Sequence, residues 1–256
     1  ASNPNLYHLN KSYAMATDIF DAEFNGYSGK FFRVKGKSYL LSYDKQLQIS
    51  YVAKEIDGDG DYTLGYNITT DDGTQYFFGA TEWTTSYLYG GNDSIPQEFT
   101  SAWLLTQMVS ADTKDTINFN YSQCSWQQAQ VSYQSSYTMT MGTQGSMGYD
   151  QASYKVNPSI SSDILTSITC RNSRVVFVPD GSSRTDIVGT YPRLKEIDVI
   201  DSLTGTTIKK NTFGYEYFGQ TATTPALYER LGLKWFNSVN PQLSSDTLTY
   251  TFKYLD

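Results

Sequence analysis

Alternation of apolar and polar residues along many short segments is the feature that most constrains how this chain folds. The clearest runs are 47–51, 62–68, 117–121, 131–141, 213–217 and 248–254. Successive side chains of a β-strand point to opposite faces, so each run predicts a strand with one apolar and one polar face. One solvated face is typical of antiparallel sheets. The sequence therefore predicts an all-β fold of mostly antiparallel twisted sheets, packed as a sandwich or a curled sheet, with very little helix.

Asn or Asp followed by Gly separates several of these runs. Such dipeptides occur at Asn25-Gly26, Asp57-Gly58, Asp59-Gly60, Asp72-Gly73 and Asp180-Gly181. They tolerate the positive φ that tight hairpins need. We expect a hairpin with a primed turn at Asp72-Gly73, between strands at 66–70 and 74–78. A second hairpin is expected at Asp180-Gly181, after the strand at 175–178.

Segments without alternation are predicted to be loops. Residues 142–163 are rich in Gly, Ser and Asn, which indicates a long loop or a weak domain boundary, and 90–100 indicates a second loop. Only 226–233, after Pro225, suggests a helical turn. One all-β domain is ordinary for a chain of 256 residues, so we expect a single β-rich domain over 1–256, with the weak boundary falling within 142–163.

Composition and charge exclude several classes of protein. Aromatic residues make up 15% of the chain, enough to bury a core, which argues against intrinsic disorder. The formal charge of −7 would repel phosphate backbones and anionic lipids, so we expect no nucleic-acid partner. The longest apolar stretches, such as 175–178, are far shorter than the ~20 residues of a transmembrane helix. The start Ala1-Ser2-Asn3-Pro4, without Met, is interpreted as a processed or trimmed terminus.

Two cysteines, Cys124 and Cys170, leave two interpretations open. Their spacing fits no metal motif. Buried or half-buried thiols are one interpretation. A disulfide is the other, if the compartment is oxidising.

Several stretches resemble one family of proteins. FNGYSGKF at 24–31, ITTDDGTQYFFG at 68–79 and SAWLLTQMVS at 101–110 are similar, in the same order, to FNGYSGKF, ITTPDGTKYTFG and SSWYLTKIVS of that family. Further matches lie at 115–121, 193–197, 213–218 and 230–233. The family is the Bacteroidetes branch of the bacterial Rhs/YD-repeat cell-surface proteins, and the matching region lies upstream of its repeats.

The resemblance implies a piece of a large, exported, β-rich surface protein. Such proteins often wrap cargo or have a variable C-terminal effector. The expected location is the cell surface, the outer membrane or the periplasm. The expected partners are other domains of the larger protein or a separate protein. The resemblance supplies no catalytic residue and no cofactor.

An acidic run at Asp57, Asp59 and Asp61 looks like the start of a calcium loop, because alternating carboxylates can surround a hard cation. An EF-hand needs Gly at the sixth position and Glu at the twelfth, where this chain has Tyr62 and Ile68. An acidic hairpin tip is therefore the main interpretation, and a calcium ion bound to this turn alone is the alternative.

Residues for catalysis are scarce. His8 is the one histidine, no G-x-S-x-G nucleophile motif accompanies it, and no phosphate loop or dinucleotide motif occurs. A glycosidase would need two carboxylates ~5–10 Å apart in a cleft, and nothing in the sequence selects a pair. We expect no enzyme activity, no catalytic residue and no cofactor.

The tryptophans raise a second hypothesis, a carbohydrate-binding module. Trp83, Trp103, Trp126 and Trp235 offer flat apolar rings that suit the apolar faces of sugars. Trp83, between Glu82 and Thr84, is the best exposed candidate. Tryptophan is more often part of a core, and Trp103 before Leu104-Leu105 looks buried. The leading hypothesis is a non-enzymatic structural or interaction region, ahead of the glycan-binding module and of a carboxylate-dependent glycosidase.

Calcium is expected to leave the stability of the chain almost unchanged. The run from Asp57 to Asp61 lacks the downstream bidentate carboxylate of a strong site, and only a tight site would stabilise the fold by mass action. Melting temperatures in EDTA and in millimolar calcium should therefore agree. A rise of many degrees in calcium, lost in an Asp57→Asn/Asp59→Asn variant, would show that this run binds the metal.

Overall fold

The computed structural model describes most of the chain and contains no helix in the part it describes. The described residues are 19–34, 37–43, 47–56, 60–90, 93–127, 132–141, 147–156, 159–182, 184–219, 230–243 and 247–254. The backbone alone is described for 42–43, 53–56, 60–62, 86–90, 93–97, 127, 132–141, 147–156 and 188. These ranges form β-strands joined by turns and loops, which confirms the all-β prediction. None of the described residues forms a helix that could cross a membrane.

The strands are numbered in chain order. The first eight are β1 (Ile19–Phe24), β2 (Tyr27–Val34), β3 (Lys37–Tyr43), β4 (Leu47–Ile56), β5 (Gly60–Thr70), β6 (Gln75–Gly90), β7 (Asp93–Val109) and β8 (Thr116–Gln127). The others are β9 (Ser132–Met141), β10 (Met147–Val156), β11 (Ser159–Thr169), β12 (Ser173–Pro179), β13 (Val188–Gly189), β14 (Leu194–Asp201), β15 (Thr207–Phe218), β16 (Arg230–Val239) and β17 (Thr247–Thr251).

Hydrogen bonds join these strands into a three-stranded and a 14-stranded sheet. The small sheet has the order β1-β2-β3. The large sheet follows the path β17-β16-β15-β14-β12-β11-β8-β7-β6-β10-β9, with β5 paired to β6, β4 paired to β5 and β13 paired to β8. Every pairing with a described register is antiparallel, as the sequence predicts.

The contacts of the chain divide it into two compact units. Unit 1 comprises Ala1–Gly79 and Leu105–Thr116, and unit 2 comprises Ala80–Leu104 and Ile117–Asp256. Both β6 and β7 contribute residues to each unit. Residues 142–163 belong to unit 2, and a single domain over 1–256 with a boundary in 142–163 stays a prediction.

Unit 1 has an aromatic core between the β1–β2 hairpin and strands β5 and β6. The ring of Phe31 lies 5.2 Å from that of Phe20 and 5.3 Å from that of Tyr66, and the ring of Phe24 lies 4.7 Å from that of Tyr76. Phe31, Tyr66 and Tyr76 are almost fully buried. Such pairs contribute about 0.5–1.5 kcal/mol each beyond the area they bury. Within unit 1, two layers of sheet therefore pack face to face.

The β1–β2 hairpin turns at Asn25-Gly26, as predicted. Both residues have positive φ, 43° at Asn25 and 79° at Gly26, and Phe24 pairs directly with Tyr27. Two positive-φ residues between directly paired strand ends form a type I′ turn, whose twist matches that of the strands. The Asn25 amide Nδ2 also donates a 2.8 Å hydrogen bond to the Tyr76 hydroxyl, which ties this turn to the aromatic core.

The β5–β6 hairpin lies where the sequence predicts it, but its turn is of another type. Gly73 has the expected positive φ of 85°, whereas Asp72 is not among the described positive-φ residues. The Gly73 amide donates to the Thr70 carbonyl at 2.9 Å, and the Thr70 amide donates to the Thr74 carbonyl at 3.0 Å. These bonds define a type I turn followed by one left-handed glycine. Asp72 favours this form because its Oδ1 accepts bonds from Thr70 Oγ1 at 2.6 Å and the Thr74 amide at 2.9 Å.

The prediction of a tight hairpin at Asp180-Gly181 is wrong. β12 pairs with β14, and residues 180–193, which we name the strap, form a long connection between them. The strap closes at its base, where the Asp180 amide donates to the Arg193 carbonyl at 2.8 Å. Its strand β13 pairs with β8, and a Cβ on Gly189 would lie 2.6 Å from the Ser125 carbonyl oxygen. The Asp180-Gly181 dipeptide indicates only a local turn. The path of the strap is set by its backbone contact with β8, which is distant in sequence.

Three further expectations about loops and helix are corrected. Residues 142–163 contain β10 and the start of β11, and most of 90–100 lies in β7. Both segments are rich in polar residues, but partner strands satisfy their backbone groups, as where β10 pairs with β9 from Met147 to Val156. In 226–233, residues 230–233 begin β16 instead of a helical turn, and 226–229 lie outside the described residues.

Replacing Gly73 with valine is expected to destabilise the protein by about 1–2 kcal/mol, because a side chain in the left-handed region is strained. A Cβ at this position would also lie 3.0 Å from the Ala111 Cβ. Chemical denaturation measures the change in the free energy of unfolding. Gly181→Val is the matched control, since a Cβ there meets no atom within 4 Å. Equal effects of the two substitutions would contradict the assigned turn.

Candidate functional site

An exposed apolar face lies at one end of the 14-stranded sheet, within unit 2. The last strand on the sheet path is β17, which pairs with β16 through Trp235–Val239 and has no second neighbour among the described strands. All five residues of β17 are exposed. The edge strand therefore presents side chains and unpaired backbone groups together.

The apolar face consists of a row of rings that crosses three strands. Phe213 of β15 pairs directly with Phe236 of β16, which pairs directly with Tyr250 of β17. The ring centroids are 5.4 Å apart in the first pair and 5.7 Å apart in the second. Leu248 lies two residues from Tyr250 and so points to the same side of the strand. We name these four residues the edge face.

Exposure increases along the edge face toward β17. Phe213 and Phe236 are half-buried, whereas Leu248 is 58% exposed and Tyr250 is 53% exposed. Alternation in 248–254 correctly predicts a strand with an apolar side for 248–251, whereas 252–254 lie beyond the end of β17. It also leads one to expect that this side is covered, and in the described residues it is not. Alternation shows which side of a strand is apolar. It does not show whether another part of the protein packs against that side.

The residues after β17 stay attached to β16 while keeping exposed rings. The Phe252 amide donates to the Lys234 carbonyl at 2.9 Å, and the Tyr254 hydroxyl donates to the Leu233 carbonyl at 2.8 Å. The ring of Tyr254 also lies 4.6 Å from that of Phe218. Phe252 is 41% exposed and Tyr254 is 48% exposed. Exposed aromatic residues therefore continue beyond the edge face along one strip of the sheet.

Charged residues lie on the opposite side of the same strands. Lys210 of β15 pairs directly with Asp198 of β14, and its Nζ donates a 2.6 Å hydrogen bond to Glu196 Oε1. Residue 210 differs in parity from Phe213, so Lys210 points away from the edge face. The bond from Lys210 lowers the pKa of Glu196, whereas burial, followed by the nearby Glu196, raises the pKa of Asp198. The ion pairs of Lys210 with Glu196 and Asp198 therefore lie on the side of the sheet opposite the edge face.

The predicted ligand residue Trp83 lies on β6 and is half-buried. Its indole Nε1 donates to Thr81 Oγ1 at 3.2 Å. The other tryptophans, Trp103, Trp126 and Trp235, are also half-buried. Trp83 as a glycan contact stays a prediction.

The remaining candidates do not form a described site. Asp57 and Asp59 lie outside the described residues, as does His8, and only the backbone of Asp61 is described. The described residues contain no group of three or more His, Cys, Asp or Glu that could bind a metal. Cys124 is buried and Cys170 is exposed, and both are free thiols. Burial, aided by Asp163, raises the pKa of the Cys124 thiol. The structure therefore has no disulfide between the two cysteines. The interpretation as buried thiols holds for Cys124 and not for Cys170.

Comparison with known proteins shows a low similarity to solved structures. No family model matches the chain, and no curated protein matches it. The crystal structure of TcdB2-TccC3-Cdc42 aligns with 91% of the chain at 11% identity and a TM-score of 0.43. The crystal structure of TcdB2-TccC3 aligns with the same share at 11% identity and a TM-score of 0.41. The chain spans 12% of the length of each matched chain.

The edge face is the candidate site that the sequence alone does not reveal. Alternation predicts strands at Phe213, Leu248 and Tyr250 but none at Phe236, and it does not indicate which apolar side chains stay exposed. A usable signal was present, because 247–251 alternates threonine with large apolar residues and contains no charge and no proline. Strands that remain at an edge usually contain such protective residues.

Proposed function

We propose that this chain is a non-enzymatic structural and interaction region of an exported bacterial surface protein of the Rhs/YD-repeat type. The observation that carries the proposal is the edge face, where Leu248 and Tyr250 are each more than half exposed on a strand that has a described neighbour on one side only. Exposed apolar patches on soluble domains mark places where another surface binds. The partner is another domain of the same larger protein or a separate protein.

The composition of β17 supports pairing with a further strand. Natural edge strands are usually protected by lysine, proline, bulges or a covering loop. The segment Thr247–Thr251 contains only threonine, leucine and tyrosine, residues that suit a paired strand. A strand added to β17 would satisfy its free backbone groups and cover Leu248 and Tyr250 in the same step.

The residues that carry the family resemblance support a structural role. In the segments 24–31 and 68–79, Phe24, Phe31 and Tyr76 belong to the aromatic core of unit 1. Asn25-Gly26 and Gly73 form the turns of the same two hairpins. These positions therefore act in packing and chain reversal, which is what a scaffold region needs.

A carbohydrate-binding module is the second candidate. Tyr250, Phe252 and Tyr254 present exposed rings along one strip, and aromatic faces suit the apolar faces of sugars. On this hypothesis glycan binding uses the edge strip, or Trp83 as the sequence predicts. A carboxylate-dependent glycosidase is the third candidate and has no supporting geometry in the described residues.

Sedimentation velocity over a concentration series tests the edge face. Without its natural neighbour, the isolated chain is expected to self-associate through β17, because an unprotected edge strand pairs with another. Leu248→Lys should shift the distribution toward the monomer by placing a charge in the contact. The matched control is Leu203→Lys, since Leu203 is 78% exposed in a turn away from β17. A monomeric wild type at every concentration, or equal effects of both variants, would contradict the proposed contact.

A screen of polysaccharides and chromogenic glycosides tests the absence of catalysis. We expect no turnover, because the chain has one histidine and no nucleophile motif. Turnover that is abolished by one Asp or Glu substitution with unchanged melting would overturn the proposal. Binding without turnover would favour the carbohydrate module. Trp83→Ala and Tyr250→Ala would then distinguish the two glycan surfaces by loss of affinity.

A further inference from the structure

The strap forms one wall of a cleft on the sheet of unit 2. The cleft has a volume of about 500 Å³, within the ~300–1,000 Å³ of small-molecule sites. Residues of β7, β8, β11, β12 and β14 form the other walls. Its main apolar lining residues are Leu104, Tyr121, Leu165, Phe177, Tyr191 and Pro192.

Several contacts hold the strap over the sheet. The Thr190 amide donates to the Ser125 carbonyl at 2.9 Å, and the ring of Tyr191 lies 5.8 Å from that of Trp126. On the side of β15, the Tyr217 hydroxyl accepts a hydrogen bond from the Thr185 amide at 3.2 Å. The strap is thus attached at both ends and in its middle, so the wall of the cleft is formed before any ligand binds.

Both arginines of the strap are neutralised by carboxylates of the strap itself. Arg184 donates two hydrogen bonds to Asp186, of 2.9 Å from Nε and 2.6 Å from Nη2. Arg193, which lines the cleft, donates from Nε to Asp180 Oδ2 at 2.7 Å. The hydrogen bonds from Arg184 lower the pKa of Asp186, and those from the Ser182 amide and then from Arg193 lower the pKa of Asp180, so both carboxylates stay charged. Neither arginine brings an unmatched positive charge to the cleft.

Asp163 brings a negative charge that no described residue neutralises. It lines the cleft and takes part in none of the ion pairs of the described residues. Tyr121 pairs directly with Leu165, and Asp163 lies two residues from Leu165, so the three side chains share one face of the sheet. Burial, followed by the charge of Asp163, raises the pKa of the Tyr121 phenol, which stays a neutral donor. The titratable groups that line the cleft are Tyr121, Asp163, Tyr191 and Arg193.

We propose that this cleft binds a small organic cation, an amine attached to an apolar or aromatic body. The ammonium group would pair with the Asp163 carboxylate, and the body would lie against Leu165, Phe177 and Tyr191. A carboxylate in a largely apolar cleft favours a cation, because a charge-assisted hydrogen bond compensates for the partial loss of water. The site is separate from the edge face, and its test does not depend on the proposed function.

Calorimetric titration of the full chain with three ligands of one shape tests the proposal. The probes are phenylbutylamine, phenylbutanol and phenylbutyrate, which differ only in their polar end. The amine is expected to bind at least about tenfold more tightly than the alcohol, and the carboxylate more weakly still. Binding of phenylbutyrate in preference to the amine, equal binding of amine and alcohol, or no binding at millimolar amine would each overturn the proposal.

Two variants assign the roles of the residues. Asp163→Asn keeps the shape of the side chain and should weaken amine binding at least about tenfold while leaving the alcohol unchanged. Tyr191→Ala should weaken both ligands together by removing part of the apolar wall. Glu98→Gln is the matched control, since it removes an exposed carboxylate away from the cleft lining. If Asp163→Asn melts early, the comparison of the three ligands on the wild type still decides the question. Unchanged amine binding in a folded Asp163→Asn variant would overturn the proposal.

Discussion

Backbone pairing between antiparallel neighbours determines which side chains share a face, and the surfaces of this protein follow from that register. The aromatic row of the edge face exists because Phe213, Phe236 and Tyr250 are directly opposite one another on three strands. The ion pairs of Lys210 lie on the opposite side because Lys210 has the other parity. Cross-strand pairs of this kind each contribute about 0.2–1 kcal/mol. A slip of one residue would exchange the two sides, so the register decides where the protein is apolar.

The two units differ in how they bury their side chains. Unit 1 packs two layers of sheet around Phe31, Tyr66 and Tyr76, and these rings are almost fully buried. Among the described residues of unit 2, Cys124 is the one buried apolar residue, and most strand residues are half-buried. A sheet with so few buried apolar side chains depends for its stability on the hydrogen bonds between its strands and on cross-strand side-chain contacts. It also leaves apolar surface available for binding, which is consistent with the proposed interaction role.

Two local arrangements in unit 2 differ in what covers the sheet. The strap pairs with β8 through β13 and lines a cleft together with β8, β11 and β12, and its arginines are paired with its own carboxylates, so Asp163 is the unmatched charge among the described lining residues. No described element covers Leu248 and Tyr250 at the edge, and the strand there lacks charge and proline. The first arrangement suits a small ligand because it is a cleft, and the second suits another strand because the outer side of β17 is exposed and has no described neighbour.

The sequence alone determined the class of the fold, strands such as β4, β5, β8 and β15, and the turn at Asn25-Gly26, because period-two alternation and Asn-Gly chemistry are local properties. It also placed the hairpin around Gly73, although contacts of the Asp72 side chain selected the turn type. The sequence did not predict polar strands such as β10, because they lack alternation. Their backbone groups are satisfied by pairing with a partner strand. The strap, the cleft and the exposure of Leu248 and Tyr250 were decided only by tertiary structure. Each of these features depends on which strands, distant in sequence, pair with each other and which strand stays at the edge of the sheet. No local sequence pattern determines that pairing.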